Sequence, residues 1–157
     1  MKANDLSEHL MPLARLVGRT FRGELAESTP EKPMVDVSRW ERAMNGMAVR
    51  NLHSVNDGEY GGETIIYWDR EKQSLVYYYF TTAGFFTHGT MTVDGNRQVN
   101  HEFVTGNKHG ITEVRSTAEL TPDGSLKTRA EYLQNGKWVE GHAATYFEAP
   151  DAEVRFR

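Results

Sequence analysis

The sequence predicts an all-β chain, a ten-stranded antiparallel up-and-down β-barrel behind a short N-terminal helical segment. Three observations predict it. Runs rich in Val, Ile, Thr, Tyr and Phe alternate with turn signals: NDG (56–58), DREKQS (69–74), TTAG (81–84), VDGN (93–96), GNKHG (106–110), PDG (122–124) and QNGK (134–137). Helical length and period occur only near the N-terminus. Two hairpins near the C-terminus, read separately, agree on which side chains face inward.

In chain order, residues 1–17 form the lead-in. Asp5 and Glu8 have the spacing of a capping pair, and Leu6, Leu10 and Leu13 recur at i, i+4 and i+7. Pro12 interrupts that stretch, which predicts two short helical turns. The barrel occupies 18–148, with strands near 19–26, 34–44, 47–55, 60–68, 74–80, 85–93, 97–105, 111–120, 126–134 and 137–147, and 149–157 form a tail. A length of 157 residues fits one domain with one core.

Turn chemistry fixes register, and register sorts side chains by face. A two-residue turn at Asn135-Gly136 sets Leu133 against Trp138 and Tyr132 against Val139, then Arg129 against His142 and Thr128 against Ala143. A type I turn with a bulge at Gly124 sets Leu120 against Leu126 and Val114 against Tyr132. Both readings place Thr128, Ala130 and Tyr132 on the inner face and a ladder of charges, with Glu131 and Glu140 near Arg129, outside. Gly141 and Ala143 join the inner face. Walls this small leave room for a ligand, unless Trp40, Tyr77 and Tyr79 from the opposite wall fill it.

In FTHGTMTVDGNRQVNHEF (86–103), either turn length puts Phe86, His88, Thr90, Val99, His101 and Phe103 on one face. This set is the more apolar and aromatic, so it is expected inside. An Asp94-Gly95 turn sets His88 opposite His101, and a longer loop makes them diagonal neighbours. Running GNKHG as a loop extends the row to Ser116, Ala130 and Gly141. The two imidazoles then line a ligand pocket, form an inert core pair, or face outward. No third ligand lies at metal-site spacing. His142 is expected outside, with His9, His53 and His109 at terminal, strand-end and loop positions.

Composition narrows the function. Net charge is −4, without a Lys/Arg run, which argues against nucleic acid as a partner. The absence of cysteine excludes disulfides, thiolate catalysis and zinc–thiolate sites. The first residues lack a signal-peptide apolar stretch, and no run reaches the ~20 apolar residues of a membrane span, so a soluble cytoplasmic protein is expected. No Gly-x-Ser-x-Gly elbow or phosphate-binding loop is present. Leu133, Trp138 and Tyr146 on the outside of the last hairpin suggest a homodimer contact or a cover by the N-terminal segment, the homodimer being preferred.

The stretch LARLVGRTFRGEL (13–25) resembles the start of calycin-like barrel proteins, where a helical segment runs into a Gly-x-Trp-x-Gly strand. GGETIIYWDREKQSLVYYYFTTAG resembles the central hairpin of that group, and GKWVEGHAATYFE its last strand. The layout is similar to a bacterial lipocalin-like family of unknown function with ten strands. Nitrobindin, a haem-binding barrel, shares the N-terminal pattern. Gly18, Phe21 and Gly23 carry the local motif, with Phe21 standing where the group has Trp. In nitrobindin a late histidine ligates haem iron; here only His142 lies in that region.

The resulting expectation is a protein that holds a small, mostly apolar molecule inside the barrel and requires no cofactor or metal. Phe86, His88, His101, Phe103, Ser116 and Tyr132 would line the pocket together with Trp40, Tyr77 and Tyr79. The alternative is an enzyme on the same scaffold, either haem-dependent or an isomerase or cyclase using His88 or His101. A third reading is a filled barrel acting through its outer surface, at Trp138 and Tyr146.

Overall fold

The structure, a computed structural model, describes residues 5–157. Its ten strands are β1 (Thr20–Leu25), β2 (Val35–Ala43), β3 (Ala48–Val55), β4 (Tyr60–Asp69), β5 (Ser74–Thr81), β6 (Phe86–Asp94), β7 (Arg97–Thr105), β8 (Ile111–Leu120), β9 (Leu126–Gln134) and β10 (Lys137–Glu148). Each strand pairs antiparallel with its sequence neighbours, and β1 also pairs with β10, so the sheet closes into a barrel. The strand bounds agree with the sequence expectation to within one residue. Among the described residues no helix is long and apolar enough to cross a membrane.

One end of the barrel is plugged. The lead-in forms a single 3-10 helix, Glu8–Leu13, with Pro12 inside it and Ser7 at its N-cap, in place of two turns capped by Asp5. Its leucines still point one way. Leu10, Leu13 and Leu16 are buried against Phe21, Trp40, Val49 and Ile66. Polar contacts hold the plug at the rim: the Ser7 amide donates to Gly46 at 2.9 Å, Arg15 donates to Asn96 at 2.7 Å, and His9 stacks on Trp68 at 3.8 Å. The C-terminal tail runs outside the barrel onto the β3–β4 corner. There the Arg155 amide donates to Ser54 Oγ at 3.0 Å, and Phe156 lies over Gly61, where a Cβ would stand 3.1 Å from its ring.

The hairpins at PDG and QNGK have the expected pairing: Leu120 faces Leu126, and Leu133 faces Trp138 across Asn135-Gly136, both at positive φ. Outside, Arg115 pairs with Glu131 and Arg129 with Glu140, each at 3.2 Å. Three registers correct the expectation. At VDGN the turn residues are Gly95-Asn96, because a Gly-first turn competes with Asp-Gly and wins; Asp94 therefore pairs with Arg97, and His88 with Phe103. Between β7 and β8, Asn100 rather than His101 lies opposite Ser116. In β10 a bulge between Glu140 and Ala143 shifts the pairing by one, so Thr128 meets Ala144 instead of Ala143.

The last two are one-residue shifts, which exchange the faces of a strand. The first moves the β6–β7 pairing by two residues and keeps Phe86, His88, His101 and Phe103 on one face, which is the outer one. The inner face of β6 and β7 carries Thr87, Met91, Gln98, Asn100 and Glu102. Val99 and Phe103, expected inside, are exposed, as is Thr90. Beyond the β10 bulge Tyr146 turns inward and is buried, although an outward position was expected; Val139, expected inside, is exposed.

Candidate functional site

Between the plugged end and the opposite rim lies a cavity of about 620 Å³. Five of the residues expected to line a pocket do so: Trp40, Tyr77, Tyr79, Ser116 and Tyr132. Phe86, His88, His101 and Phe103 do not. They join Tyr78 and Phe80 in an aromatic cluster on the outer wall of β5–β7. His88 packs edge-on against Phe103 at 5.7 Å, and His101 Nε2 lies 2.9 Å from Glu113 Oε2. The meeting of these two histidine-bearing strands is surface packing.

One hydrogen-bonded chain crosses the inner wall. Tyr146 on β10 donates to Asp36 Oδ2 on β2 at 2.6 Å. Asp36 Oδ1 lies 3.0 Å from His53 Nδ1 on β3, and His53 Nε2 lies 2.6 Å from the Tyr79 hydroxyl on β5. Tyr79 in turn lies 2.8 Å from the Tyr60 hydroxyl. With Asp36 a carboxylate and His53 neutral, every proton points the same way: Tyr60 donates to Tyr79, Tyr79 to Nε2, and Nδ1–H to Asp36.

Glycines make this chain possible. Tyr146 must cross β1 to reach Asp36, and Tyr79 must cross β4 to reach His53. A Cβ at Gly23 would stand 3.0 Å from the Tyr146 ring, and one at Gly62 would stand 2.4 Å from the Tyr79 ring. Each bare backbone is the floor on which a ring lies. Tyr132 uses Gly141 in the same way, and its hydroxyl accepts the His142 amide at 3.1 Å.

The facing wall is polar too, and less completely paired. Thr87 donates its hydroxyl to Glu102 Oε2. Asn100 donates to Ser116 Oγ at 3.1 Å, while its own carbonyl Oδ1 is buried with no partner. Trp40 Nε1 is likewise buried and unpartnered. Burial pushes the Glu102 carboxyl above its usual range, against the smaller opposing effect of the Thr87 bond. Among the described residues no group of three or more His, Asp and Glu side chains is placed to hold a metal ion.

Desolvation also raises five tyrosines: Tyr60, Tyr77, Tyr79 and Tyr146, and Tyr132 to about 12. Their folded-state values lie above the unfolded value of about 10. The folded chain therefore keeps protons that the unfolded chain loses, and stability present below pH ~10 falls as pH rises beyond it. Alkaline titration should show these phenolates appearing in one steep transition together with loss of the β-sheet circular dichroism signal. Their appearance in a fully folded protein would contradict the burial described here.

Reading the residues missed Asp36, His53, Thr87, Asn100 and Glu102. A signal for two of them existed. Trp40 was expected inside, and period two along β2 places Ser38 and Asp36 on its face; β2–β3 pairing then sets His53 beside Ser38. The β7 residues were hidden by the assumption that the more apolar face turns inward. His142, expected outside, lines the cavity mouth, with Nδ1 2.8 Å from Glu27 Oε1.

No protein-family model matches the chain, and no curated protein matches it. Among solved structures it is similar to Rv2717c from M. tuberculosis, with a TM-score of 0.68 at 15% identity over 92% of this chain and 99% of that one. At that identity the likeness is one of fold.

Proposed function

We propose that this barrel binds a small, mostly apolar molecule in its interior, with the polar part of the ligand against Tyr60, Tyr79 and the β7 wall. The observation that carries the reading is the cavity of about 620 Å³, whose lining combines aromatic rings with a few polar groups, Tyr60, Tyr79, Asn100 and Glu102 among them. A mostly apolar concavity with a small number of polar groups is the usual form of a small-molecule site. The volume falls within the range of small-molecule sites.

The test uses Nile red, a neutral apolar fluorophore. Wild-type protein should bind it with a blue-shifted emission. Ala130→Phe, which fills the cavity from β9, should weaken binding by about tenfold or more, a loss of ~1.4 kcal/mol. His88→Ala and His101→Ala should leave it unchanged. Equal binding by Ala130→Phe, or loss in the histidine variants, would place the dye outside the barrel and overturn the reading.

A second reading, an enzyme on the same scaffold, is favoured by the Asp36–His53–Tyr79 chain. Burial holds Tyr79 and Tyr60 in the protonated form, so neither is a nucleophile; rotation of the Tyr60 hydroxyl away from Tyr79 would turn its proton to a ligand carbonyl. Exchange of the α-protons of 2-octanone in heavy water, accelerated by wild type and not by Tyr79→Phe, would support it. For the haem version, His142 has one fitting feature: Glu27 holds Nδ1, and Nε2 has no partner among the described residues. A Soret band with hemin that is lost in His142→Ala would support that version; no such band would exclude it.

A further inference from the structure

We infer that the ligand carries a protonated amine on an apolar body, and that Glu102 of β7 receives the amine. The inference rests on the interior-binding reading and adds the charge of the guest.

β7 presents a carboxylate oxygen to the cavity without a donor to fill it. Glu102 Oε2 takes the Thr87 hydroxyl, and no described residue donates to Oε1. Two positions earlier on the same face, Asn100 spends its amide on Ser116, so it offers a guest no donor in competition with an amine. An ammonium is the complementary group: several donors, no acceptor, and a positive charge.

The surroundings favour a cation over an anion. Of the basic side chains along the cavity, Arg129 turns outward to Glu140 at 3.2 Å, and His109 and His142 stand exposed at the mouth, the latter with Nδ1 on Glu27. His53 is held at both ring nitrogens, between Asp36 and Tyr79. A ligand carboxylate would therefore meet Glu102 and Asp36 with no Lys or Arg to offset them.

The rings complete the site. In the row that contains Glu102, the neighbour on β6 is Gly89, and Tyr77 follows on β5. Nothing larger than a hydrogen separates tyrosine from carboxyl there. On the other side the row runs through Val114 to Tyr132, whose ring lies over Gly141. A wall of tyrosine rings beside an open carboxylate is the setting in which ammonium groups gain from ring faces as well as from charge.

The experiment compares guests with one chain and three heads: octylammonium, octan-1-ol and octanoate, each titrated calorimetrically into the full-length protein at neutral pH and low salt. Octylammonium should bind about tenfold or more tightly than octanol, and octanoate most weakly. Glu102→Gln, which keeps the acceptor for Thr87, should bring octylammonium to within about twofold of octanol while octanol binding stays as it was. That unchanged octanol binding reports that the variant is folded. Equal binding of ammonium and alcohol by wild type, or an ammonium preference that survives Glu102→Gln, overturns the inference and leaves the interior-binding reading intact. If none of the three binds, both fall.

Discussion

Asp36→Ala should be the most damaging single truncation of the inner wall. The change removes the acceptor of two buried donors at once, the Tyr146 hydroxyl at 2.6 Å and His53 Nδ1 at 3.0 Å. Leaving a buried donor unsatisfied costs about 1–3 kcal/mol, and two at once take a large part of the 5–15 kcal/mol that holds an ordinary domain together. Asp36→Asn should cost far less and do something more informative. The amide oxygen can still accept from Tyr146, which leaves the amide N–H group facing His53. Nδ1 must then accept, the ring proton moves to Nε2, and Tyr79 turns its own proton away from the histidine. Chemical denaturation measures the first effect. Nitrogen NMR shifts of His53 report the tautomer. An alanine variant as stable as wild type, or a tautomer unchanged in the asparagine variant, would mean that the chain does not run as described.

Gly62→Ala should disrupt the same chain from the other side. Its new methyl would stand 2.4 Å from Tyr79 Cε1 and 2.5 Å from the Phe80 carbonyl oxygen. The carbonyl belongs to the strand that pairs with β4 and cannot retreat without opening that ladder. The tyrosine ring must therefore leave its place, and the bond to His53 leaves with it. Overpacking of this kind costs about 1–3 kcal/mol, to which the lost hydrogen bond adds about 1 kcal/mol. Tyr79→Phe is the control, because it deletes the hydroxyl and leaves the ring over the glycine. Urea unfolding should rank Gly62→Ala clearly below Tyr79→Phe, with Nile red binding weakened in the former. Equal stability of the two variants would show that the strand yields where this packing says it cannot.

The ten strands and the leucine-bearing lead-in were legible because their signals are local, whereas the lead-in's place as a plug was not. Turn residues announce each reversal, and the leucines of the lead-in announce a buried face. The site was only half legible. Tyr132 was reached by period-two reasoning from two secure turns, and Trp40, Tyr77 and Tyr79 as the large residues of the opposite wall. Ser116 was reached through a pairing with His101 that the β7–β8 register does not keep. His88 and His101 were misplaced: both two-residue turns that DGN allows put them on one face, as they are, but that face was turned inward. That error came from a rule true of cores and untrue of cavities. In β6–β7 the aromatic set lies outside, and Thr87, Asn100 and Glu102 lie within. An interior that receives a guest can carry the polar face, whereas a packed core cannot. The β10 bulge is the other case: one unpaired step near Gly141 carries no turn signal, yet it decides where His142 and Tyr146 point.

The Tyr146–Asp36 bond has a temporal consequence. It spans β1, the short strand along which the first and last parts of the chain are stitched together. All other ladders join sequence neighbours and can zip progressively as the chain emerges from the ribosome. The seam cannot close until residues 144–148 arrive, and only then does Asp36 acquire its second donor. A nascent chain short of its final strand thus has most of a wall and no finished chamber. The interior is enclosed only once β10 has joined β1.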